Sequence, residues 1–235
     1  MENNKIIVVL PAYNCSKTLE STVSAIPAGY VSDIILVDDY SSDCTIEVAN
    51  RIGLSHIYRH DKNKGYGANQ KTCYDAALGL NADIIIMLHP DYQYDPKLIP
   101  CIIDKLTNGA EVVLGSRMKQ GKEAIRLGMP IYKYYSNKFL TAFQNILLKQ
   151  NLSEYHTGYR AYTKEVLKTV DYCKFSDDFI FDNQMMIDII KNKFTIDEVY
   201  CPAKYFADSS SINFKRSLKY GLGVIYHTIK SKFQK

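Results

Sequence analysis

Residues able to do chemistry gather at four places in the first half of this 235-residue chain, each just after an apolar run. Pro11-Ala12-Tyr13-Asn14 follows the run Ile6–Leu10, and Asp38-Asp39-Tyr40-Ser41-Ser42-Asp43 follows Asp33–Val37. His89-Pro90-Asp91-Tyr92-Gln93 follows Ile84–Leu88, and Gly115-Ser116-Arg117 closes Glu111–Gly115. Asp, Asn and Ser often serve only as turn and cap residues. Four clusters at corresponding positions instead favour one site along the carboxyl edge of an open sheet, where such sheets bind ligands. Two nucleotide signatures are missing: no G-x-G-x-x-G follows the first run, and no G-x-x-x-x-G-K-[ST] occurs. That excludes a dinucleotide-dependent dehydrogenase and a P-loop kinase. Gly65-Tyr66-Gly67 precedes a helix and reads as a loop that lets backbone approach a ligand.

The elements that must position these clusters alternate strand-like and helix-like stretches, the pattern of βα units and a mainly parallel, Rossmann-like sheet. Strands are expected at the four runs above and at Ser55–Tyr58. Helices are expected at Lys17–Ala25, Thr45–Ile52, Ala68–Leu78 and Pro96–Leu106, the last opened by Asp95 as cap and Pro96 at the first helical position. From Lys119 the chain turns basic and aromatic. A long helix is expected from Pro130, a strand-like piece at His156–Tyr162, a helix near Asn183–Lys191 and a strand near Phe194–Tyr200. A basic helix, Asn213–Phe233, ends the chain. Residues 1–235 read as one α/β domain, with halves at about 1–118 and 119–212 and a helix at about 213–235.

Composition narrows the class. Apolar residues make up 46% and charged residues 23%, an ordinary globular balance that rules out disorder and coiled coil as the main architecture. A net charge of +4 is too mild to call for nucleic acid. No apolar run approaches the ~18 residues of a membrane span, and Met1–Lys5 has no signal-peptide character, so a cytoplasmic protein is expected. Six cysteines without a C-x-x-C pair suit reduced thiols. After Asp208 there is no acid, while Lys215, Arg216, Lys219, Lys230, Lys232 and Lys235 follow. Leu218, Leu222, Ile225, Ile229 and Phe233 recur at helical steps in the same stretch. Such a helix either covers the sheet or docks peripherally on an anionic membrane.

Seven motifs in order carry a resemblance: Pro11–Asn14; Val37-Asp38-Asp39 with Ser41 and Asp43; Asn63–Asn69; His89–Pro96; Gly115-Ser116-Arg117; His156-Thr157-Gly158-Tyr159-Arg160; and Phe179–Gln184. Together, over about residues 5 to 205, the chain resembles glycosyltransferase family 2, the inverting enzymes of GT-A fold. Asp91-x-Gln93 and Thr157-Gly158-x-Arg160 are most similar to the dolichyl-phosphate mannose synthase-like branch.

The resemblance implies a nucleotide-sugar donor, a lipid-phosphate or glycan acceptor and cell-surface glycan synthesis, to which the basic terminal helix adds peripheral contact with the inner face of a membrane. It places the nucleoside at Pro11, Tyr13, Asn14, Asp38 and Asp39, with Gly67 and Asp91 completing the donor pocket. Cys15 stands where the family usually has Glu. The family's Asp-x-Asp metal motif begins here with His89. An extended segment would project His89, Asp91 and Gln93 to one side. That set suits Mn²⁺ better than Mg²⁺, which prefers oxygen; the alternative leaves Asp91 as principal ligand. Arg117 and Arg160 are expected to assist the departing diphosphate. Asp177, Asp178 and Asp182 surround a helix start. Asp182 is the expected general base for a hydroxyl acceptor, whereas a lipid phosphate needs none. Two rivals remain. A sugar-1-phosphate nucleotidyltransferase would need a glycine-rich basic loop that Pro11–Lys17 lacks. A non-catalytic nucleotide-sugar-binding module would keep the fold without the chemistry.

Overall fold

The computed structural model describes residues 4–202 and 214–233. Its elements run β1 (Ile6–Ala12), α1 (Leu19–Ser24), β2 (Asp33–Asp38), α2 (Thr45–Arg51), β3 (His56–Arg59), α3 (Tyr66–Gly79) and β4 (Ile84–Met87). Then come α4 (Ile99–Thr107), β5 (Val112–Ser116), α5 (Glu123–Arg126), α6 (Ile131–Leu148), β6 (Arg160–Thr163), α7 (Lys164–Thr169), α8 (Phe181–Lys191), β7 (Ile196–Tyr200) and α9 (Phe214–Phe233). Asn213 and Lys235 lie outside the described residues.

All seven residues of β1 are buried, which is why its sequence is continuously apolar rather than alternating. Ile6, Val8, Leu10 and Ala12 face one core with Leu19, Val48, Ile99 and Ile102 from α1, α2 and α4. Ile7 and Val9 face the other with Tyr74, Ala77, Val166 and Met185 from α3, α7 and α8. The result is a three-layer α/β sandwich around one sheet. Each fully buried aliphatic side chain contributes about 1.5–3 kcal/mol to it.

Among the described residues the sheet has seven strands in the order β3-β2-β1-β4-β6-β5-β7. The pairs β1–β2, β1–β4, β2–β3 and β5–β7 are parallel. β6 is antiparallel to both of its neighbours. The sheet is therefore mainly parallel with one reversed strand, a direction that strand composition does not encode. Strand order reverses between β1 and β4, so loops after these strands flank a switch-point crevice. The expected strand at 156–162 shortens to β6, because His156–Tyr159 forms the loop leading into it. Asp95 caps the turn opened by Pro96, its side chain accepting from Lys97 N at 3.0 Å.

Candidate active site

At the end of β2, Asp38 and Asp39 are both buried but differ in what they hold. Asp39 is fully engaged: its carboxylate meets His60 Nδ1 at 2.7 Å and accepts from the backbone N–H groups of Lys64 and Gly65 at 2.8 and 2.9 Å. It ties the β3–α3 loop to β2. Asp38 Oδ2 accepts from Ser41 N at 3.0 Å and lies 3.3 Å from Arg59 Nε. Its other oxygen, Oδ1, is buried without a partner. A bare buried carboxylate oxygen is costly unless a ligand donor completes it.

Buried Pro11 pairs with Val37 and Ala12 with Asp38, so the loop carrying exposed Tyr13 and Asn14 adjoins the one carrying exposed Tyr40. The Arg59 guanidinium lies 5.6 Å from the Tyr40 ring centroid. Asn14 adopts φ 50°, donates its backbone N–H to Ser41 Oγ and accepts from Ser42 N, both at 2.8 Å, so it closes the loop pair. Cys15 turns inward against Thr45, and burial pushes its thiol up to about 12.

The Gly65–Gly67 expectation is corrected. A Cβ at Gly67 would sit 2.8 Å from Phe181 Cβ and collide with the Ser176 carbonyl, and one at Gly65 would lie 2.7 Å from the Asp177 carbonyl. Gly67 N donates to that Asp177 carbonyl at 2.7 Å. These glycines thus let α3 approach the chain's own 176–181 segment.

The metal-loop expectation is corrected in its geometry. Residues 90 and 91 form a turn and Tyr92 has φ 57°, so the extended alternation that aligned His89, Asp91 and Gln93 is absent. Asp91 Oδ1 accepts from Gln93 N at 3.1 Å, and Gln93 is buried. Thr18 Oγ1 donates to Pro90 O at 2.6 Å and anchors the loop to the start of α1. His89 stacks on Tyr66 with ring centroids 5.5 Å apart, and burial holds its imidazole below the ordinary histidine range. Among the described residues no three His, Cys, Asp or Glu side chains form a metal cage.

Neither expected arginine is an open cation. Arg160 is 0% exposed and donates to the carbonyls of Thr157, Asp182 and Tyr155 at 2.8, 3.0 and 2.9 Å. It lies behind the site, supporting the loop before β6. Arg117 pairs with fully buried Glu154 through Nε at 3.0 Å and through Nη2, and also donates to His156 O at 2.8 Å. Burial pushes the Glu154 carboxyl up, but Arg117 and Asn137 more than offset this and hold it below its ordinary value. Lys133 on α6 is lowered by burial and then by the Arg117 charge, which makes it a neighbour of that guanidinium. Two cations therefore neighbour each other beyond β5, Arg117 being the one paired with Glu154.

Asp182 sits in the first turn of α8 with both oxygens engaged. Oδ2 accepts from Tyr66 O–H at 2.7 Å, and Oδ1 accepts from Gln70 Nε2 at 3.1 Å. Tyr66, Gln70 and Tyr74 share one face of α3 at i, i+4 and i+8. That spacing was the available signal for a polar face toward the site. Asp177 meets Lys71 Nζ at 2.8 Å and Asp178 meets Lys219 Nζ at 3.1 Å, both on the exposed side. His60, Arg59, Tyr66, Gln70 and Glu154 are the site residues that sequence reasoning missed.

His156 lies under this cluster. Its Nδ1 meets Tyr220 Oη of α9 at 2.9 Å, Nε2 is buried without a partner, and burial pushes the imidazole down to about 4. The native state excludes a proton that the unfolded chain binds below about 6.5. Stability is therefore full above that value and falls as pH drops toward 4, by about 3 kcal/mol from this group alone. Urea unfolding between pH 7 and pH 4 should show this slope, and His156→Gln should flatten it. An unchanged slope in the variant would reject the assignment.

With this geometry in hand, similarity to known proteins decides the family. A sequence model described as "Glycosyl transferase family 2" matches residues 7–171, which include the β1, β2, β4 and β5 loops. The chain belongs to glycosyl transferase family 2. It is 27% identical over 252 residues to UDP-N-acetylglucosamine–dolichyl-phosphate N-acetylglucosaminyltransferase of Methanococcus voltae, covering 100% of this chain and 99% of that protein. It is 25% identical to polyprenol monophosphomannose synthase of Mycolicibacterium smegmatis, covering 83% and 76%. The match to dolichol-phosphate mannosyltransferase of Pyrococcus furiosus is 28% identical, with 71% of this chain against about half, 48%, of that one. These relatives place it in the dolichyl-phosphate mannose synthase-like branch. Among solved structures, glucosyl-3-phosphoglycerate synthase of Mycobacterium tuberculosis, crystallised with Mn²⁺, UDP and phosphoglyceric acid, superposes with a TM-score of 0.71 at 18% identity. That match covers 97% of this chain and 78% of that one, and the shared architecture is the GT-A fold. The chain is a glycosyltransferase, and the non-catalytic alternative has no support here.

Proposed function

We propose that this protein moves a sugar from a nucleoside-diphosphate sugar to a polyprenyl phosphate, with inversion at the anomeric carbon and with a divalent metal. The acceptor assignment is carried by one observation: both oxygens of Asp182 are already committed to Tyr66 and Gln70. A saccharide hydroxyl needs a base to take its proton, and the carboxylate expected in that role is buried with each oxygen already accepting a hydrogen bond, which disfavours it there. A phosphate oxygen is already anionic. It attacks the anomeric carbon as the bond to the departing diphosphate breaks, and no proton has to leave the nucleophile. The surplus positive charge of Arg117 and Lys133 over Glu154 suits such an acceptor. The names of the relatives from M. voltae and M. smegmatis specify dolichyl phosphate and a polyprenol, in agreement with this reading.

The first half of the chain forms the donor side. The unpartnered Asp38 Oδ1 suits a base N–H or a ribose hydroxyl, with Pro11, Tyr13 and Asn14 as walls. Asp39 organises the pocket through the Lys64 and Gly65 amides instead of completing it alone. Asp91, its carboxylate held by Gln93 N and its charge felt by the His89 imidazole, is too little for a closed protein cage but would suit an ion that also takes substrate oxygens. When bound, such an ion neutralises charge developing on the leaving group. Arg160 and Asp182 hold the loop and helix in place from behind. A thermal-shift panel of UDP-, GDP- and dTDP-sugars with and without Mn²⁺ tests the donor side. One nucleotide class should raise Tm by linkage, more so with metal; no shift with any would refute it.

Membrane docking is part of the same proposal. Among the described residues no helix is long and apolar enough to cross a membrane. The stripe of α9 faces outward instead of covering the sheet: Leu222 is 61% and Phe233 84% exposed, with Leu218, Tyr226 and Ile229 also exposed. The inward face carries Val224 and Thr228. α6 packs beside it and exposes Ile131, Tyr132, Tyr135 and Phe139. Two adjoining apolar stripes among lysines fit the interface of an anionic bilayer at its cytoplasmic face. Each lysine adds about 1 kcal/mol near such a surface. Co-sedimentation with anionic vesicles should be strong at low salt. It should weaken at high salt and in a Lys230, Lys232 and Lys235 triple Ala variant, Lys235 lying outside the described residues. No binding at low salt would remove docking from the account.

A further inference from the structure

Resting on the metal reading above, we infer that Asp182 and Tyr66 are positioning residues that fix the tautomer of His89, leaving Nδ1 as the nitrogen offered to the cation. Tyr74 O–H donates to Gln70 Oε1 at 2.8 Å, which turns Gln70 Nε2 toward Asp182. Asp182 is the acceptor at both oxygens, from Gln70 Nε2 and from Tyr66 O–H, with Arg160 Nη2 3.8 Å from Oδ2. Tyr66 has one hydroxyl proton, and Asp182 takes it at 2.7 Å. His89 Nε2, 3.1 Å from the same Tyr66 oxygen, can then interact only by donating its own N–H. A neutral imidazole with its proton on Nε2 carries its lone pair on Nδ1.

Packing agrees. The Nε2–Cδ2 edge of His89 lies against Gly158, where an added Cβ would sit 2.6 Å from Nε2 and 2.7 Å from Cδ2. That edge is closed by the loop before β6, and the Nδ1 edge is opposite. Among the described residues Nδ1 makes no hydrogen bond. The chain Tyr74–Gln70–Asp182–Tyr66–His89 thus joins α3 and α8 to the metal loop, as outer partners commonly orient a metal-binding imidazole. A nitrogen donor in place of a carboxylate removes one negative charge and tilts the site toward Mn²⁺ over Mg²⁺.

The test reads the imidazole directly on the full chain. Long-range ¹H–¹⁵N correlation of ¹⁵N-histidine-labelled protein should show His89 as the Nε2–H tautomer, assigned by its loss in His89→Asp. Tyr66→Phe, which keeps the ring, should lose that preference and bind Mn²⁺ about 10–100-fold more weakly. Pulsed EPR of the Mn²⁺ complex, formed with UDP and separately with GDP, should show imidazole nitrogen coupling in the wild type and none in His89→Asp. An Nδ1–H tautomer, a Mn²⁺ complex without nitrogen coupling, or unchanged Mn²⁺ affinity in Tyr66→Phe would overturn the inference while leaving the metal reading intact. No Mn²⁺ binding with either nucleotide would overturn the metal reading itself.

Discussion

Asp91→Ala is expected to lower sugar transfer by about 10²–10³-fold, the usual loss when one preorganised group facing transition-state charge is removed. Asp91 stands in the turn after β4, beside the switch point of the sheet, and the loop around it is anchored by Thr18 to Pro90 O. Its removal takes away the one carboxylate of the 89–93 segment and leaves the fold's cores untouched. His89→Asp should retain activity and shift metal preference toward Mg²⁺, since it restores an oxygen donor. Initial rates with radiolabelled donor, across a Mn²⁺ and Mg²⁺ series, separate the two variants. An Asp91→Ala enzyme turning over near the wild-type rate would place the metal elsewhere.

The largest stability effect is expected at Glu154. Its fully buried carboxylate receives Arg117 N, Arg117 Nε and Nη2, and Asn137 Nδ2, the last at 2.7 Å. Glu154→Ala strands a mostly buried guanidinium and an amide together, so it should cost about 3–5 kcal/mol, the penalty for removing one partner of a buried pair. Replacing both members, as Arg117→Met with Glu154→Met, should cost much less, because no charge is left unpaired. Urea unfolding of the two variants measures the difference. A Glu154→Ala loss below about 1 kcal/mol, within the range of an exposed pair, would show that the pair is not sealed as described.

The βα alternation was legible because buried parallel strands must be almost wholly apolar, and β1, β2, β4 and β5 are. The start at Asp95 and Pro96 was legible because capping chemistry is local. The direction of β6 was not, since Arg160–Thr163 has the same composition whichever way it runs. Of the site, the clusters after each strand were legible as an edge of polar groups, and the family motifs named their parts. What each residue does depended on contacts between distant segments. Gly67 meets Phe181 and Ser176, and Arg160 turns to three carbonyls. Tyr66 binds Asp182 across 116 residues of chain. The left-handed Tyr92 broke the alternation assumed for the metal loop, and one bulky residue in that conformation has no strong local signature.

The most direct test of the account is transfer itself. The full chain is incubated with Mn²⁺, a short-chain polyprenyl phosphate and each radiolabelled UDP-, GDP- or dTDP-sugar in turn, and lipid-linked sugar is extracted into organic solvent. Label is expected in the organic phase with one nucleotide class, of anomeric configuration opposite to the donor's, together with an Asp182→Asn variant that still binds donor. A donor that binds but is transferred only to saccharide hydroxyls, with Asp182→Asn abolishing that transfer, would contradict it.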